Sequence, residues 1–201
     1  MIAPSVAASL RVALGFRFVD IMPTTLQGAF LISPTAFADQ RGFFAETSRT
    51  DQLAEHGITD EFVQDNHSRS SHGVVRGLHF AIGEGSAKLV RCARGAIWDV
   101  IVDLRRESDT YLAWEGFDLT DDNLQSLYVP RGFAHGFCVT SDVADVVYKQ
   151  SAYYDAQSER AIHWSDARLA IEWPLPSDQI TVSERDASAP SLDQLEAELN
   201  F

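Results

Sequence analysis

Apolar and polar positions alternate in short runs along this chain, and Gly, Pro, Asn and Asp cut the runs apart. A period of two sends successive side chains to opposite faces of a strand, so a sheet protein is predicted. The clearest case is AIWDVIVDLR, where Trp98, Val100, Val102 and Leu104 fall on one side and Ile97, Asp99, Ile101 and Asp103 on the other. Further strands are predicted in GAFLISP, FVQDNHS, VVRGLHF, KLVRCAR, WEGFDLT, SLYVP, HGFCVTS and DVVYKQS. Turns fall at Asp39 to Gly42, Gly83 to Gly85, Asp121 to Asn123 and Pro130 to Gly132. Two helices are expected: TDQLAEHG, with Thr50 as N-cap and Gly57 as its stop, and SLDQLEAELN, which opens at about residue 191 with a Ser191 to Gln194 capping box. The pattern predicts an all-β sandwich or barrel with small peripheral helices, an architecture that leaves room for a ligand between its sheets.

The chain has 201 residues, 45% of them hydrophobic and 22% charged, which fits one domain, since splitting becomes usual only beyond about 250 residues. Residues 1–21 read as an N-terminal extension of unknown role and 22–201 as the domain. The net charge of -13 speaks against nucleic acid as a partner, so an anionic ligand would have to meet locally placed arginines. Cys92 and Cys138 lie in strand-like segments, where two reduced, buried thiols are expected; that suits the cytoplasm. No run approaches the ~18 apolar residues that span a membrane, and the first residues lack the basic start of a secretory signal.

One segment departs from the apolar pattern. GVVRGLHF sets Arg76 and His79 among Val74, Val75, Leu78 and Phe80. Three apart on a flat strand, the two polar side chains would point to opposite faces, so a shared pocket requires a bulge, and Gly77 is the residue that permits it. Groups able to move protons are His79, Lys88, His135, Tyr148 and Asp186, and a carboxylate against one imidazole nitrogen would fix the tautomer of a histidine base. Spacing alone reads Tyr148 as an ordinary half-buried core tyrosine. Arg41, Arg76 and Arg185 each sit beside turn or glycine residues where a phosphate could approach. The histidine pair two apart that jelly-roll metal sites use is missing, and no nucleophile elbow, P-loop or dinucleotide fingerprint is present, so neither metal nor cofactor is expected.

The succession ADQRGFFAE, QDNHS, GVVRGLHF, AKLVRCARGAIWDVIVDLRRES, YVPRGFAHGF, VVYKQSAYY, SERAIHWSD and VSERD, running from about Gly28 to Pro190, resembles the dTDP-4-dehydrorhamnose 3,5-epimerase family. The resemblance implies a cupin-type double-stranded β-helix, or jelly roll, that needs no metal. It implies a homodimer whose N-terminal strand is exchanged between subunits, and a dTDP-linked 4-keto-6-deoxyhexose epimerised at C3 and C5. It assigns the general base to His79, its supporting carboxylate to Asp186, the opposed proton donor to Tyr148, and the group near the 4-keto oxygen to Lys88. Substrate contacts would fall on Arg41, Phe44, Glu46, Gln64, Asn66, Arg76, His135, Glu159 and Arg185, with Tyr154 stacking on the thymine. The chain departs from the family in the loop FAIGEGSA, one residue shorter than usual and lacking the glutamine before AKLV, and in Arg185, where lysine is frequent. The alternatives are a monofunctional 3- or 5-epimerase and a non-catalytic sugar-nucleotide sensor on the same barrel.

Overall fold

The computed structural model describes residues 19–199 and 201. Its strands are β1 (Val19–Pro23), β2 (Phe30–Pro34), β3 (Ala36–Asp39), β4 (Gly42–Ala45), β5 (Gln64–Ser71), β6 (Val75–Ala81), β7 (Lys88–Arg94), β8 (Ala96–Asp103), β9 (Trp114–Thr120), β10 (Ser126–Val129), β11 (Phe133–Val139), β12 (Val143–Gln150) and β13 (Glu159–Ala161). Two sheets face each other, one of six strands in the order β1-β2-β10-β7-β12-β5 and one of five in the order β13-β6-β11-β8-β9, while β3 and β4 pair only with each other. This is the expected all-β jelly roll, and the predicted strands all form.

Alternation along the strands builds three layers. Ile97, Ile101, Val90, Cys92, Ala144, Val146, Phe133 and Phe137 pack between the two sheets. On the outer face of the five-stranded sheet, Leu78, Phe80, Val100, Val102 and Leu104 meet Leu192, Leu195 and Leu199 of the C-terminal segment. Both faces of β8 are therefore covered; each fully buried Val, Leu or Ile there contributes roughly 1.5–3 kcal/mol relative to exposure. A third cluster, with Val19, Ile21, Ile32, Leu89 and Tyr128 meeting Leu53 and Ile58, lies on the outer face of the six-stranded sheet. Cys92 and Cys138 are free and buried, and burial pushes both thiols up to about 11.

Some elements differ from the sequence expectation. Val19, Asp20 and Ile21, assigned above to the extension, lie in β1, because Val19 and Ile21 have an apolar cluster to fill; the rest of the extension lies outside the described residues. β1 pairs with β2 of its own chain, Val19 opposite Pro34 through Pro23 opposite Phe30. A turn joins the two strands, with Thr24 N–H donating to the Ala29 carbonyl at 3.0 Å. Helix α1 (Thr50–Glu55) starts one residue earlier than predicted: Arg49 occupies the N-cap and pairs through its side chain with Asp51, whereas Thr50 is already helical. Gly57 ends this helix at φ +79°, as expected. A single-turn helix, α2 (Glu184–Ala187), was not predicted, since four residues carry no period; α3 (Leu192–Leu195) begins as predicted, with Ser191 N–H donating to Gln194 Oε1 at 2.8 Å.

Candidate active site

Between the sheets, near one end, lies a cavity of about 230 Å³. Its floor depends on a break in β6. Arg76 stands opposite Phe137 and His79 opposite His135, so Gly77 and Leu78 together face the single residue Gly136, which is a β-bulge. Gly77 has φ +120°, and a Cβ on it would stand 2.6 Å from Gly136 Cα and 2.7 Å from the His135 carbonyl oxygen. Only glycine fits there. The extra residue resets the alternation: Val74 packs toward the core between the sheets, Leu78 and Phe80 face the C-terminal layer, and both Arg76 and His79 line the cavity. The irregularity expected at Gly77 is present.

His79 Nε2 lies 2.7 Å from Asp186 Oδ1. Asp186 reaches it from α2, where its own N–H donates to Ser183 Oγ at 3.1 Å, and its second oxygen accepts from Gly77 N–H at 3.4 Å. Burial works to raise the Asp186 carboxyl, but the hydrogen bond and charge of His79, with the Gly77 and Ser183 donors, outweigh it and hold the group below the usual carboxylate range. An ionised carboxylate can only accept, so Nε2 carries the proton and Nδ1 is left with a lone pair. The side chain of His79 is one-quarter exposed, which suits an imidazole that must meet a ligand.

The facing wall belongs to the six-stranded sheet. Lys88 opens β7 opposite Gln150 of β12, and Tyr148, two residues earlier, stands opposite Val90. Burial lowers Lys88 below its usual value, against the opposing pull of the Glu159 and Asp99 charges. Desolvation raises the Tyr148 phenol, with Glu159 adding to it and Arg76 opposing, so the hydroxyl keeps its proton at neutral pH. Tyr148 also packs against the inner core, so the core reading of this tyrosine holds for its ring, while the residue lines the cavity as well.

Other residues singled out from the sequence arrange themselves in three ways. Arg76, His135, Tyr154, Glu159 and Arg185 line the same cavity; Glu159 is carried there by β13, paired opposite Ala81, and Arg185 Nη2 lies 3.7 Å from Glu159 Oε1. Gln64 and Asn66 form an amide chain along its edge: Gln64 Nε2 donates to Asn66 Oδ1 at 2.9 Å, Asn66 Nδ2 to Gln150 Oε1 at 2.8 Å, and Tyr154 N–H to Gln64 Oε1 at 2.9 Å. Arg41, Phe44 and Glu46 do not reach this cavity. Arg41 and Phe44 sit on the β3–β4 hairpin, which pairs with neither main sheet; there Arg41 is bound to Asp39 and Phe44 is 66% exposed, while Glu46, just beyond, pairs with Arg49.

Ser68, Phe137 and Gln150 also line the cavity without having been singled out. Their signal was parity alone: once Tyr148 is placed inward, its partner Asn66, then Ser68 two residues on, must follow. Among the described residues no cluster of three or more His, Cys, Asp and Glu side chains is placed to hold a metal ion, and no helix is long and apolar enough to cross a membrane.

The arrangement offers an imidazole with a free lone pair on one sheet, a phenol and a lysine amine on the other, and two arginines, Arg76 and Arg185, in the same lining. Comparison with known proteins gives this chemistry a context. The family model for dTDP-4-dehydrorhamnose 3,5-epimerase matches residues 23–194. The chain is 46% identical over 180 residues to the dTDP-4-dehydrorhamnose 3,5-epimerase of Escherichia coli K12, covering 88% of this chain and 96% of that one. It is 41% identical over 169 residues to a dTDP-4-dehydrorhamnose 3-epimerase of Streptomyces niveus, covering 83% and 82%. Among solved structures, a dTDP-6-deoxy-D-glucose-3,5-epimerase from Legionella pneumophila Philadelphia 1, in complex with dTDP-4-keto-L-rhamnose, superimposes with a TM-score of 0.86 at 43% identity, covering 90% of this chain and 96% of that one.

Proposed function

This chain belongs to the dTDP-4-dehydrorhamnose 3,5-epimerase family, and on that premise we propose that it epimerises dTDP-4-dehydro-6-deoxy-D-glucose at C3 and C5 to dTDP-4-dehydro-L-rhamnose. The observation that carries the reading is the His79–Asp186 pair facing Tyr148 and Lys88 across one cavity. A ketone acidifies both neighbouring C–H bonds. His79 Nδ1 takes the proton from carbon, the C–H electron pair becomes the new C=C bond, and the carbonyl π pair moves onto oxygen. Lys88 offers a cation to that oxygen, where the negative charge collects. As the oxygen pair re-forms the carbonyl, the C=C pair takes a proton from Tyr148 on the opposite face of the same carbon, inverting it. Water then takes the proton from His79 and returns one to Tyr148, and a second passage at the other carbon completes the reaction. Arg76 and Arg185 supply charge for the diphosphate, and Tyr154, 54% exposed, offers a ring for the base. The free, buried Cys92 and Cys138 support a reducing compartment, the cytoplasm.

Incubation with dTDP-4-keto-6-deoxyglucose in deuterated water, followed by NMR, tests the proposal. Deuterium should enter at both C3 and C5. Label at one carbon only would mean a monofunctional enzyme, a reading favoured by the 41% identity to a 3-epimerase; label at neither would mean a binding protein.

The hairpin residues bear on assembly. Phe43 and Phe44 are 61% and 66% exposed, beside Arg41, on a hairpin that among the described residues pairs with neither main sheet. We place this hairpin against a second copy, with Arg41, Phe44 and Glu46 serving the partner's cavity in a homodimer. Light scattering should then give twice the 22.3 kDa chain mass, and a monomer mass at micromolar concentration would remove these three residues from the site.

A further inference from the structure

The cavity has a second histidine and carboxylate pair that the mechanism above leaves unused. His135 of β11 stands directly opposite His79 of β6, and its Nε2 lies 2.9 Å from Asp99 Oδ2. Asp99 sits on β8, between β11 and β9, on the face that carries Ile97 and Ile101 into the core, and is fully buried. Its other oxygen, Oδ1, is buried and has no hydrogen-bond partner among the described residues. A carboxylate sealed among aliphatic side chains with one partner is costly, and an apolar residue of its size would serve the core better. Packing does not explain it. What it adjoins does: His135 separates it from the cavity, and its charge acts on Lys88 across the gap between the sheets.

We propose, resting on the epimerase reading, that Asp99 is a positioning residue of this site: it fixes the ring of His135 toward the bound sugar and places a buried negative charge behind that ring, in the wall of the cavity that Lys88 also lines. An ionised Asp99 accepts from His135 Nε2–H, so His135 repeats the arrangement of His79, with Nδ1 as the nitrogen left for substrate. For Lys88 the balance is electrostatic. Burial works against its charge; Asp99 and Glu159 work for it. Arg76, His79, His135 and Arg185 also line the cavity and oppose a charge on Lys88 when charged, and Tyr148 and Tyr154 complete the ionisable lining. Glu159 is partly balanced by Arg185 at 3.7 Å, whereas Asp99 meets the imidazole of His135.

Asp99→Asn tests this, because the amide keeps the shape and can still accept from His135 while the charge is gone. With wild type first shown to exchange deuterium into the sugar, kcat of the variant should fall about 10–100-fold, dTDP affinity should stay within about twofold, and the alkaline limb of kcat/KM should move to lower pH. The direction follows from sign: removing a negative charge makes Lys88 lose its proton earlier. A residue that only supported the fold would lower the curve without moving its alkaline limb, and that outcome, or unchanged kcat, would overturn the proposal. If the variant does not fold, nitrogen-15 spectra of histidine-labelled wild type decide. A His135 Nε2 that stays protonated and hydrogen-bonded through neutral pH is expected, and a ring averaging between tautomers contradicts the role. Absence of exchange in wild type would instead strike the epimerase reading.

Discussion

His79→Ala should lose deuterium exchange at the sugar carbons while still binding dTDP. The general base contributes typically 10²- to 10⁴-fold in rate, and His79 presents an imidazole lone pair to the cavity with the Asp186 carboxylate held ionised behind it. Binding should persist because Tyr154 and Glu159 come from elements other than β6, β6 with Arg76 is pinned by Leu78 and Phe80 in the C-terminal layer and by the backbone pair between Leu78 and Ile162, and α2 with Arg185 stays tied to β6 through Gly77 N–H and Asp186 Oδ2. The measurement is NMR of the dTDP-hexose in deuterated water beside calorimetric titration with dTDP. Exchange at the wild-type rate would take the base role away from His79.

Tyr148→Phe should separate two events that wild type joins. Removing the hydroxyl leaves the ring in the core and leaves His79 untouched on the opposite sheet, so a proton can still be abstracted and returned from the same side. Deuterium should therefore continue to enter the substrate without inversion, while the rate of epimerised product falls about 10²- to 10³-fold. The phenol fits this role because burial holds it neutral, so it has a proton to give. Product formed at an unchanged rate would mean that the second proton comes from elsewhere.

Much of this was legible in the chain, and the gaps have physical causes. Period-two alternation marked the long strands because each has at least one buried face; β3 and β4 were missed because their side chains are mostly exposed. The bulge at Gly77 could be anticipated from three residues, since Arg76 and His79 cannot otherwise share a face. Asp186 was recognised but its setting was not: a one-turn helix capped by Ser183 has too few residues to show a period. Asp99 was visible as a polar residue on the aliphatic face of AIWDVIVDLR, but parity alone could not say that His135 would lie against it. The positions of Arg41, Phe44 and Glu46 depend on a hairpin that among the described residues pairs with neither main sheet, which no local pattern encodes.

The most direct test is a crystal structure with a dTDP-linked hexose in the cavity between the sheets. His79 Nδ1 and the Tyr148 hydroxyl should lie on opposite faces of the sugar ring, each within about 3.5 Å of C3 or C5 or of the hydrogen it carries. Finding both groups on one face, or either beyond reach of the ring, would contradict epimerisation by this pair.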